Sequence, residues 1–205
     1  MTDTIVRKRP YLKQCAKILD LVLFAIGFPS RTSDETDRTT PVEKEFGRTI
    51  SMPVTTVTLH RELVKDTFRG DLVLFFDIDG VLHPYQTETL EFTERLYPLL
   101  DKFPHIELVM CSDWRETIRQ QLFEARVGER IANHFVGCTP LMSSRRYRRQ
   151  CEVLEFCRVF RVKHFAVVDD RRDLYAPNFP NLVVTDVSDG ITDVTVQDLI
   201  RVLSA

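Results

Sequence analysis

Four runs of apolar residues in the later two thirds of the chain predict buried strands. They span residues 72–76 (LVLFF), 106–110 (IELVM), 164–168 (HFAVV) and 182–184 (LVV). A continuous apolar run indicates a strand that is covered on both faces, as in a parallel sheet. Segments with helical periodicity accompany these runs, at residues 89–103, 115–126, 149–160 and 194–203. Alternating strands and helices predict an α/β fold with a mostly parallel sheet and helices on both sides.

The chain before residue 70 follows a different pattern and is predicted to form an extension. Residues 1–28 hold several basic residues and an apolar run that is too short to cross a bilayer as a helix. Because Asp20 interrupts this run, we interpret it as an amphipathic helix that docks on the domain or on a partner. An export signal and attachment to a membrane surface are the alternatives. Residues 29–69 contain a polar linker and a β-branched stretch that predicts a possible edge strand.

Composition narrows the class of protein. The chain has 205 residues, of which 43% are hydrophobic and 28% are charged, as is typical of a globular domain. The formal net charge of −2 argues against a nucleic-acid coat protein, although it leaves room for a local basic patch. The cysteines are odd in number and lack CxxC spacing, so we expect reduced thiols in a cytoplasmic protein. They are Cys15, Cys111, Cys138, Cys151 and Cys157.

Polar and mostly acidic side chains follow three of the four predicted strands. Asp77 and Asp79 come after the first strand, Ser112 after the second, and Asp169 and Asp170 after the third. Because ligands of such folds bind beyond the carboxyl ends of the strands, we expect these side chains to lie close together. Carboxylates that lie this close repel each other unless a cation is present. An oxygen-rich cluster of this kind suits Mg²⁺, which also takes phosphate oxygens as ligands.

These residues lie in short motifs that resemble those of the haloacid dehalogenase-like (HAD) superfamily. The segment FFDIDGVLHP at 75–84 looks like the first motif, VMCSDW at 109–114 is similar to the second, and VVDD at 167–170 is similar to the acidic fourth. Their order and spacing match over residues 71–203. The resemblance implies a three-layer, Rossmann-like core without a large cap, as in small bacterial HAD domains. It also implies that residues 70–205 form a catalytic domain.

The resemblance implies a function and a role for each residue. The function is Mg²⁺-dependent hydrolysis of phosphate monoesters through an aspartyl-phosphate intermediate. Asp77 is the implied nucleophile, Asp79 is the implied acid and base, and Ser112 is the implied hydrogen-bond donor to a phosphoryl oxygen. The implied metal ligands are Asp77, the backbone carbonyl of Asp79, Asp169 and Asp170.

The family's third motif supplies a cationic side chain. This sequence has no Lys at the corresponding place. Four arginines precede the predicted helix at residues 149–160, namely Arg145, Arg146, Arg148 and Arg149. We choose Arg149 because it stands at the head of the apolar helical pattern, and Arg146 is the second choice. A guanidinium is a forked donor that suits phosphate oxygens. The missing Lys keeps open a second hypothesis, a catalytically idle interaction module with this fold.

Four residues beside the motifs are further candidates. Gly80 allows a sharp turn next to the substrate. Asp113 either contacts the substrate or caps the following helix. Trp114 either stacks on a base or sugar or packs at the start of that helix. His83 is interpreted as structural rather than as a contact of the leaving group, because it stands beside Pro84 in a turn.

The spacing of the motifs limits the substrate. The intervals between Gly80 and Ser112 and between residues 114 and 145 are too short for a large cap. An open site favours a bulky phosphorylated substrate, unless the N-terminal extension supplies a lid. The excess of Arg and Lys between residues 145 and 172 makes a nucleic-acid end a candidate. The alternatives are a small phosphorylated molecule as substrate and a basic helix face that is merely solvated.

Overall fold

The computed structural model describes residues 63–85, 87–118, 120–143 and 146–205. The N-terminal helix at residues 1–28, the polar linker and the edge strand predicted at 49–59 lie outside these residues. They stay predictions. In the part of the chain that is described, no helix combines the length and the apolar character that a membrane span needs.

Among the described residues, the centre of the domain is a sheet of five parallel strands. They are β1 (Leu72–Phe76), β2 (Glu107–Met110), β3 (Phe135–Cys138), β4 (His164–Asp169) and β5 (Leu182–Val184). Their order across the sheet is β3-β2-β1-β4-β5. The central strand β1 pairs Phe76 with Met110 on one side and with Val168 on the other. The residues that follow β1, β2 and β4 therefore lie side by side at one edge of the sheet.

Helices cover both faces of the sheet. The helices of the described residues are α1 (Tyr97–Lys102), α2 (Gln120–Val127), α3 (Glu129–His134), α4 (Arg148–Phe160) and α5 (Asp193–Leu203). On one face, Phe156 of α4 packs edge-on against Phe75 of β1, with 5.3 Å between the ring centroids. The next side chain along the strand, Phe76, points to the other face and stacks on Phe123 of α2. The predicted three-layer α/β architecture is confirmed.

The strands read as continuous apolar runs because both of their faces are buried. Val73, Leu74 and Phe75 of β1 have no solvent-exposed surface, although they alternate between the two sides of the sheet. Burying a side chain of this size stabilises the fold by about 1.5–3 kcal/mol. Because these buried side chains hold β1 in place between the helices, they also fix where its carboxyl end lies.

Two of the predicted helices are wrong in extent. The segment predicted as one helix at 89–103 contains Leu90 in a left-handed conformation, and α1 begins only beside Pro98. Proline fits the first turn of a helix, where its missing N–H costs nothing. The second prediction, 115–126, divides into a 3-10 helix at Asp113–Glu116 and α2. The β-branched residues Thr117 and Ile118 follow the 3-10 helix, and β-branching disfavours helical backbone.

Neither α3 nor β3 is predicted from the sequence, while the four predicted strands and the last two predicted helices agree closely with the structure. The strands at 72–76 and 182–184 have the predicted bounds, and β2, β4, α4 and α5 differ by one residue at one end. Two further 3-10 helices lie at Thr93–Leu96 and Arg172–Leu174.

The outer edge of β3 is covered by an antiparallel segment at residues 63–65. The N–H of Lys65 donates to the carbonyl of Val136 (2.7 Å), and the N–H of Cys138 donates to the carbonyl of Leu63 (3.0 Å). Gly137 lies between these two bonds with φ 155°, and a Cβ there would stand 2.0 Å from the carbonyl oxygen of Leu63. A glycine is therefore required for this close approach of two backbones.

We expect Gly137→Ala to displace the segment at 63–65. The loss of two backbone hydrogen bonds, together with the clash, lowers the free energy of unfolding by about 2–3 kcal/mol. The matched control is Gly128→Ala, since Gly128 also has positive φ but no neighbour within 4 Å of its Cβ position. The control should cost about 1–3 kcal/mol from backbone strain alone, because φ 81° and ψ 155° suit glycine only. Gly137→Ala has positive-φ strain as well and should lose more, by the two hydrogen bonds and the clash. Urea denaturation measures the free energy of unfolding of both variants, and equal decreases for the two would contradict the prediction.

Candidate active site

Three carboxylates meet at the carboxyl ends of β1 and β4. Asp77 follows β1 directly, Asp169 is the last residue of β4, and Asp170 comes next. One oxygen from each of the three lies within 4.8 Å of the others. Asp77 and Asp169 are buried, and Asp170 is half-buried. The parallel pairing of β1 with β4 therefore brings together three of the predicted metal ligands.

Arg149 lies between two of these carboxylates. Its Nη1 atom is 2.6 Å from Oδ2 of Asp77 and 2.8 Å from Oδ2 of Asp169. The side chain is almost completely buried and comes from the first turn of α4. Burial by itself would lower the pKa of Arg149, but the two carboxylates outweigh it and raise that pKa. The guanidinium therefore stays charged at the centre of the site.

Asp169 is the most constrained of the three acids. The hydroxyl of Tyr175 donates to its Oδ2 (2.6 Å), and the N–H of Arg171 donates to its Oδ1 (2.8 Å). Burial raises the pKa of Asp169 to about 7; the charge of Asp77 adds to this rise, and Arg149 opposes it. The positive charge of Arg149 therefore offsets only part of the negative charge of the clustered carboxylates. Sequence reasoning missed Tyr175, which belongs to none of the motifs.

A buried ion pair ties the loop after β2 to helix α4. Arg115 and Glu152 have 2.5 Å between Nη2 and Oε2, and almost none of either side chain is exposed. Nη1 of Arg115 also donates to the backbone carbonyls of Cys111 and Ser112. Because Glu152 follows Arg149 by one helical turn, this pair fixes Ser112 relative to Arg149. Neither partner is among the site residues that are predicted from the sequence.

Ser112 and Asp113 differ in their surroundings. Ser112 is buried and caps the 3-10 helix, since its Oγ accepts from the N–H of Trp114 (3.2 Å). The cap is therefore Ser112 and not Asp113, which corrects one of the two interpretations of Asp113. The carboxylate of Asp113 accepts two hydrogen bonds from Arg148, at 2.7 and 2.8 Å. Burial would raise the pKa of Asp113, but Arg149 and Arg148 lower it below the usual value.

The carboxylate of Asp79 lies apart from the three clustered acids. Its Oδ2 accepts from Nε1 of Trp114 (2.8 Å), and its Oδ1 is 3.5 Å from Nε2 of His83. The atom of Asp79 that remains a candidate metal ligand is its backbone carbonyl oxygen, as the resemblance implies. The next residue, Gly80, has φ 67°, and a Cβ there would stand 2.9 Å from the side chain of Asp170. Glycine thus lets this turn pass beside the cluster.

Trp114 and Arg146 were both candidates for substrate contact. The indole of Trp114 donates to Asp79, and the guanidinium of Arg126 lies 5.6 Å from its ring centroid. The ring is therefore already engaged by protein groups. Arg146 is exposed and donates to the hydroxyl of Tyr147 (3.0 Å).

The basic stretch at 145–172 is largely neutralised by acids where the structure describes it. Arg158 donates two hydrogen bonds to Glu155, and Arg171 donates two to Asp173. These pairs favour the interpretation of a solvated face for this part of the stretch. Arg145 lies outside the described residues.

A family model identifies the fold. Residues 73–196 match a model described as the HAD domain in Swiss Army Knife RNA repair proteins. The match covers more than half of the chain and includes the carboxylate cluster, Arg149 and Ser112. The chain belongs to this HAD family. No curated protein and no solved structure gives a significant match. HAD domains are generally hydrolases, and the family suggests a hydrolase of the phosphatase type.

Replacing Arg149 by Met removes the cation between two buried carboxylates. We expect the free energy of unfolding to fall by about 3 kcal/mol at pH 8 with a chelator present. The loss should be smaller at pH 5. Without the guanidinium the pKa of Asp169 rises further, and a carboxyl whose pKa is raised by folding loses its stabilising contribution as pH rises.

Urea denaturation at the two pH values tests this effect. Arg149→Lys is the control, because it keeps a positive charge at the same position of α4. A loss for Arg149→Met that is the same at pH 5 and pH 8 would show that packing, and not charge, accounts for it.

Proposed function

We propose that this HAD domain hydrolyses phosphate monoesters with Mg²⁺, through an aspartyl-phosphate formed on Asp77. The observation that carries the proposal is Arg149 held between Asp77 and Asp169, with Asp170 beside them. This arrangement combines a buried carboxylate nucleophile with a fixed cation, the two features that phosphoryl transfer requires.

The residues present fit a divalent metal. Asp77, Asp169 and Asp170 each offer an oxygen within 4.8 Å of the others, and Arg149 pairs with two of them, so the cluster keeps negative charge that a divalent cation would offset. The donors are oxygens, which Mg²⁺ prefers. Asp77, Asp169 and Asp170 would hold the ion, together with the backbone carbonyl of Asp79. When bound, the metal neutralises negative charge on the phosphoryl oxygens.

In the first step a carboxylate oxygen of Asp77 attacks phosphorus. A bond forms between Asp77 and phosphorus while the bond from phosphorus to the ester oxygen breaks. Arg149 holds Oδ2 of Asp77 and offsets negative charge on the transferring group. Asp79 gives its proton to the departing ester oxygen, so that the alcohol leaves as a neutral molecule.

In the second step water releases the phosphate. Asp79, now a carboxylate, takes a proton from the water that attacks phosphorus. The bond between phosphorus and Asp77 breaks, which restores both aspartates to their starting forms. Ser112 can donate its hydroxyl proton to a phosphoryl oxygen, because its Oγ acts as an acceptor in the bond from Trp114.

A catalytically idle interaction module is the rival proposal. It would have to keep Asp77, Asp169 and Asp170 in mutual repulsion without the benefit of a bound ion. Burial of ionised groups is costly unless they are paired. The retention of this arrangement supports catalysis over an idle site.

A phosphorylated RNA end is a second candidate substrate. The description of the matching family as HAD domains in RNA repair proteins favours it. The short described connection between β1 and β2, which contains a 3-10 helix and α1, also supports an uncapped site that admits a large substrate. Arg148 lies half-buried beside Asp113 and could contact the phosphate backbone of such a substrate.

Asp77→Asn should lower phosphate release from 4-nitrophenyl phosphate at least about a thousandfold, because the nucleophile is lost. Chelation of divalent ions should abolish the wild-type rate, and added Mg²⁺ should restore it. The matched control is Asp71→Asn, since Asp71 is an exposed acid at the opposite end of β1. Activity retained by Asp77→Asn, or no release by the wild-type protein, would overturn the proposal.

The second candidate predicts a preference for RNA ends over small phosphates. We expect kcat/KM for oligonucleotides with a 3′- or 5′-phosphate to exceed that for a nucleoside monophosphate by about tenfold or more at low salt, and to fall as salt rises. Arg148→Gln should weaken the preference, whereas the control Arg158→Gln, which breaks a pair with Glu155, should not. Equal kcat/KM for both substrates at all salt concentrations would exclude RNA ends.

A further inference from the structure

Each carboxylate oxygen of Asp79 faces a ring nitrogen. Nε1 of Trp114 donates to Oδ2 (2.8 Å), and Nε2 of His83 stands 3.5 Å from Oδ1. The two rings are neighbours, with 5.5 Å between their centroids and a tilt of 52°. They come from different parts of the fold, since His83 follows β1 and Trp114 follows β2.

The orientation of the His83 ring is fixed from its other side. Nδ1 lies 2.7 Å from the carbonyl oxygen of Pro84 and 3.0 Å from Oγ1 of Thr87. A carbonyl can only accept, so Nδ1 carries a proton and donates it to Pro84. Nε2 is therefore the ring nitrogen that is directed at Asp79.

A purely structural role does not account for His83. Its side chain is completely buried, and Nε2 forms no hydrogen bond in the described part of the chain. Buried polar atoms without partners are rare because they are costly. An apolar ring would fill the same space without this cost. The nearby carboxylate, whose side chain is 30% exposed, is the group toward which Nε2 is directed.

We propose that His83 and Trp114 are positioning residues that hold the carboxyl group of Asp79 toward the leaving oxygen of the substrate. The inference rests on the proposed function, in which Asp79 transfers the proton. The indole N–H donates to Oδ2, and Nε2, which can only accept in a neutral ring whose proton is on Nδ1, is placed to accept from Oδ1 when Asp79 carries its proton. Rotation of the carboxyl group in its acid form is therefore restricted. An acid held in this way loses less of its efficiency to misorientation than a freely rotating one.

Two substitutions of His83 separate its two nitrogens. His83→Asn keeps a donor near the position of Nδ1 and removes Nε2. His83→Gln carries a polar group toward the position of Nε2 and loses the donor to Pro84. Trp114→Phe removes the N–H that binds Asp79 while it keeps an aromatic ring.

The experiment compares phenyl phosphate with 4-nitrophenyl phosphate. Nitrophenolate is a stable leaving group that needs little protonation, whereas phenolate is more basic and depends more on the acid. General acid catalysis contributes about a hundredfold or more where a proton is needed. Because Asp79 also acts in the second step, which both esters share, the comparison uses kcat/KM, which reports only the steps up to departure of the alcohol. We therefore expect His83→Asn and Trp114→Phe to lower kcat/KM for phenyl phosphate about tenfold or more, and kcat/KM for 4-nitrophenyl phosphate less than about threefold. His83→Gln should recover part of the lost rate.

The control is His134→Asn, because Nδ1 of His134 also bonds a backbone carbonyl, that of Ile106, at the amino end of β2. It should leave the ratio of the two kcat/KM values unchanged. A uniform loss of kcat/KM on both esters for His83→Asn and Trp114→Phe would overturn the positioning role while leaving the phosphatase proposal intact. If His83→Asn does not fold, Trp114→Phe alone decides, since it carries the same leaving-group prediction. No hydrolysis of either ester by the wild-type protein would instead overturn both proposals.

Discussion

The ion pairs of Arg149 with Asp77 and Asp169 are the interaction on which the site depends. Parallel pairing of β1 with β4 places Phe76 opposite Val168, so the residues that follow must lie side by side. Two carboxylates in this position repel each other in a medium of low polarity. The guanidinium, at 2.6 and 2.8 Å, makes that juxtaposition tolerable. The ion pairs of Arg149 are therefore needed both for the packing of the strand ends and for the proposed chemistry.

The core of the domain determines where this cation stands. Arg149 belongs to α4, whose Phe156 packs on Phe75 in the middle of β1. The Arg115–Glu152 pair adds a second attachment, between α4 and the loop that carries Ser112. A buried pair of this kind contributes little net stability but is costly to break. Its effect here is geometric, because it fixes the serine hydroxyl and the guanidinium with respect to the same strand ends.

The sequence predicted those parts of the molecule that local pattern determines. Buried strands read as apolar runs, and the acids that follow them had no other plausible location than the sheet edge. β3 was missed because Gly137 interrupts the apolar pattern of Phe135–Cys138, and its pairing with residues 63–65 is a long-range contact. No local signal in the sequence places Nε2 of His83 against Asp79 either, which is why the pattern favours a structural interpretation of this residue.

The two aspartates of the first motif differ in exposure, and their proposed roles account for the difference. The side chain of Asp77 is 6% exposed, whereas that of Asp79 is 30% exposed. A carboxylate nucleophile gains reactivity when water is excluded and a fixed cation replaces its solvation. An acid that must exchange protons with a departing alcohol and an incoming water needs contact with the open side of the site. Asp79 therefore cannot be held by burial, which leaves orientation by neighbouring side chains as the means of keeping it in place. The ring nitrogens of His83 and Trp114 are the groups positioned to provide it.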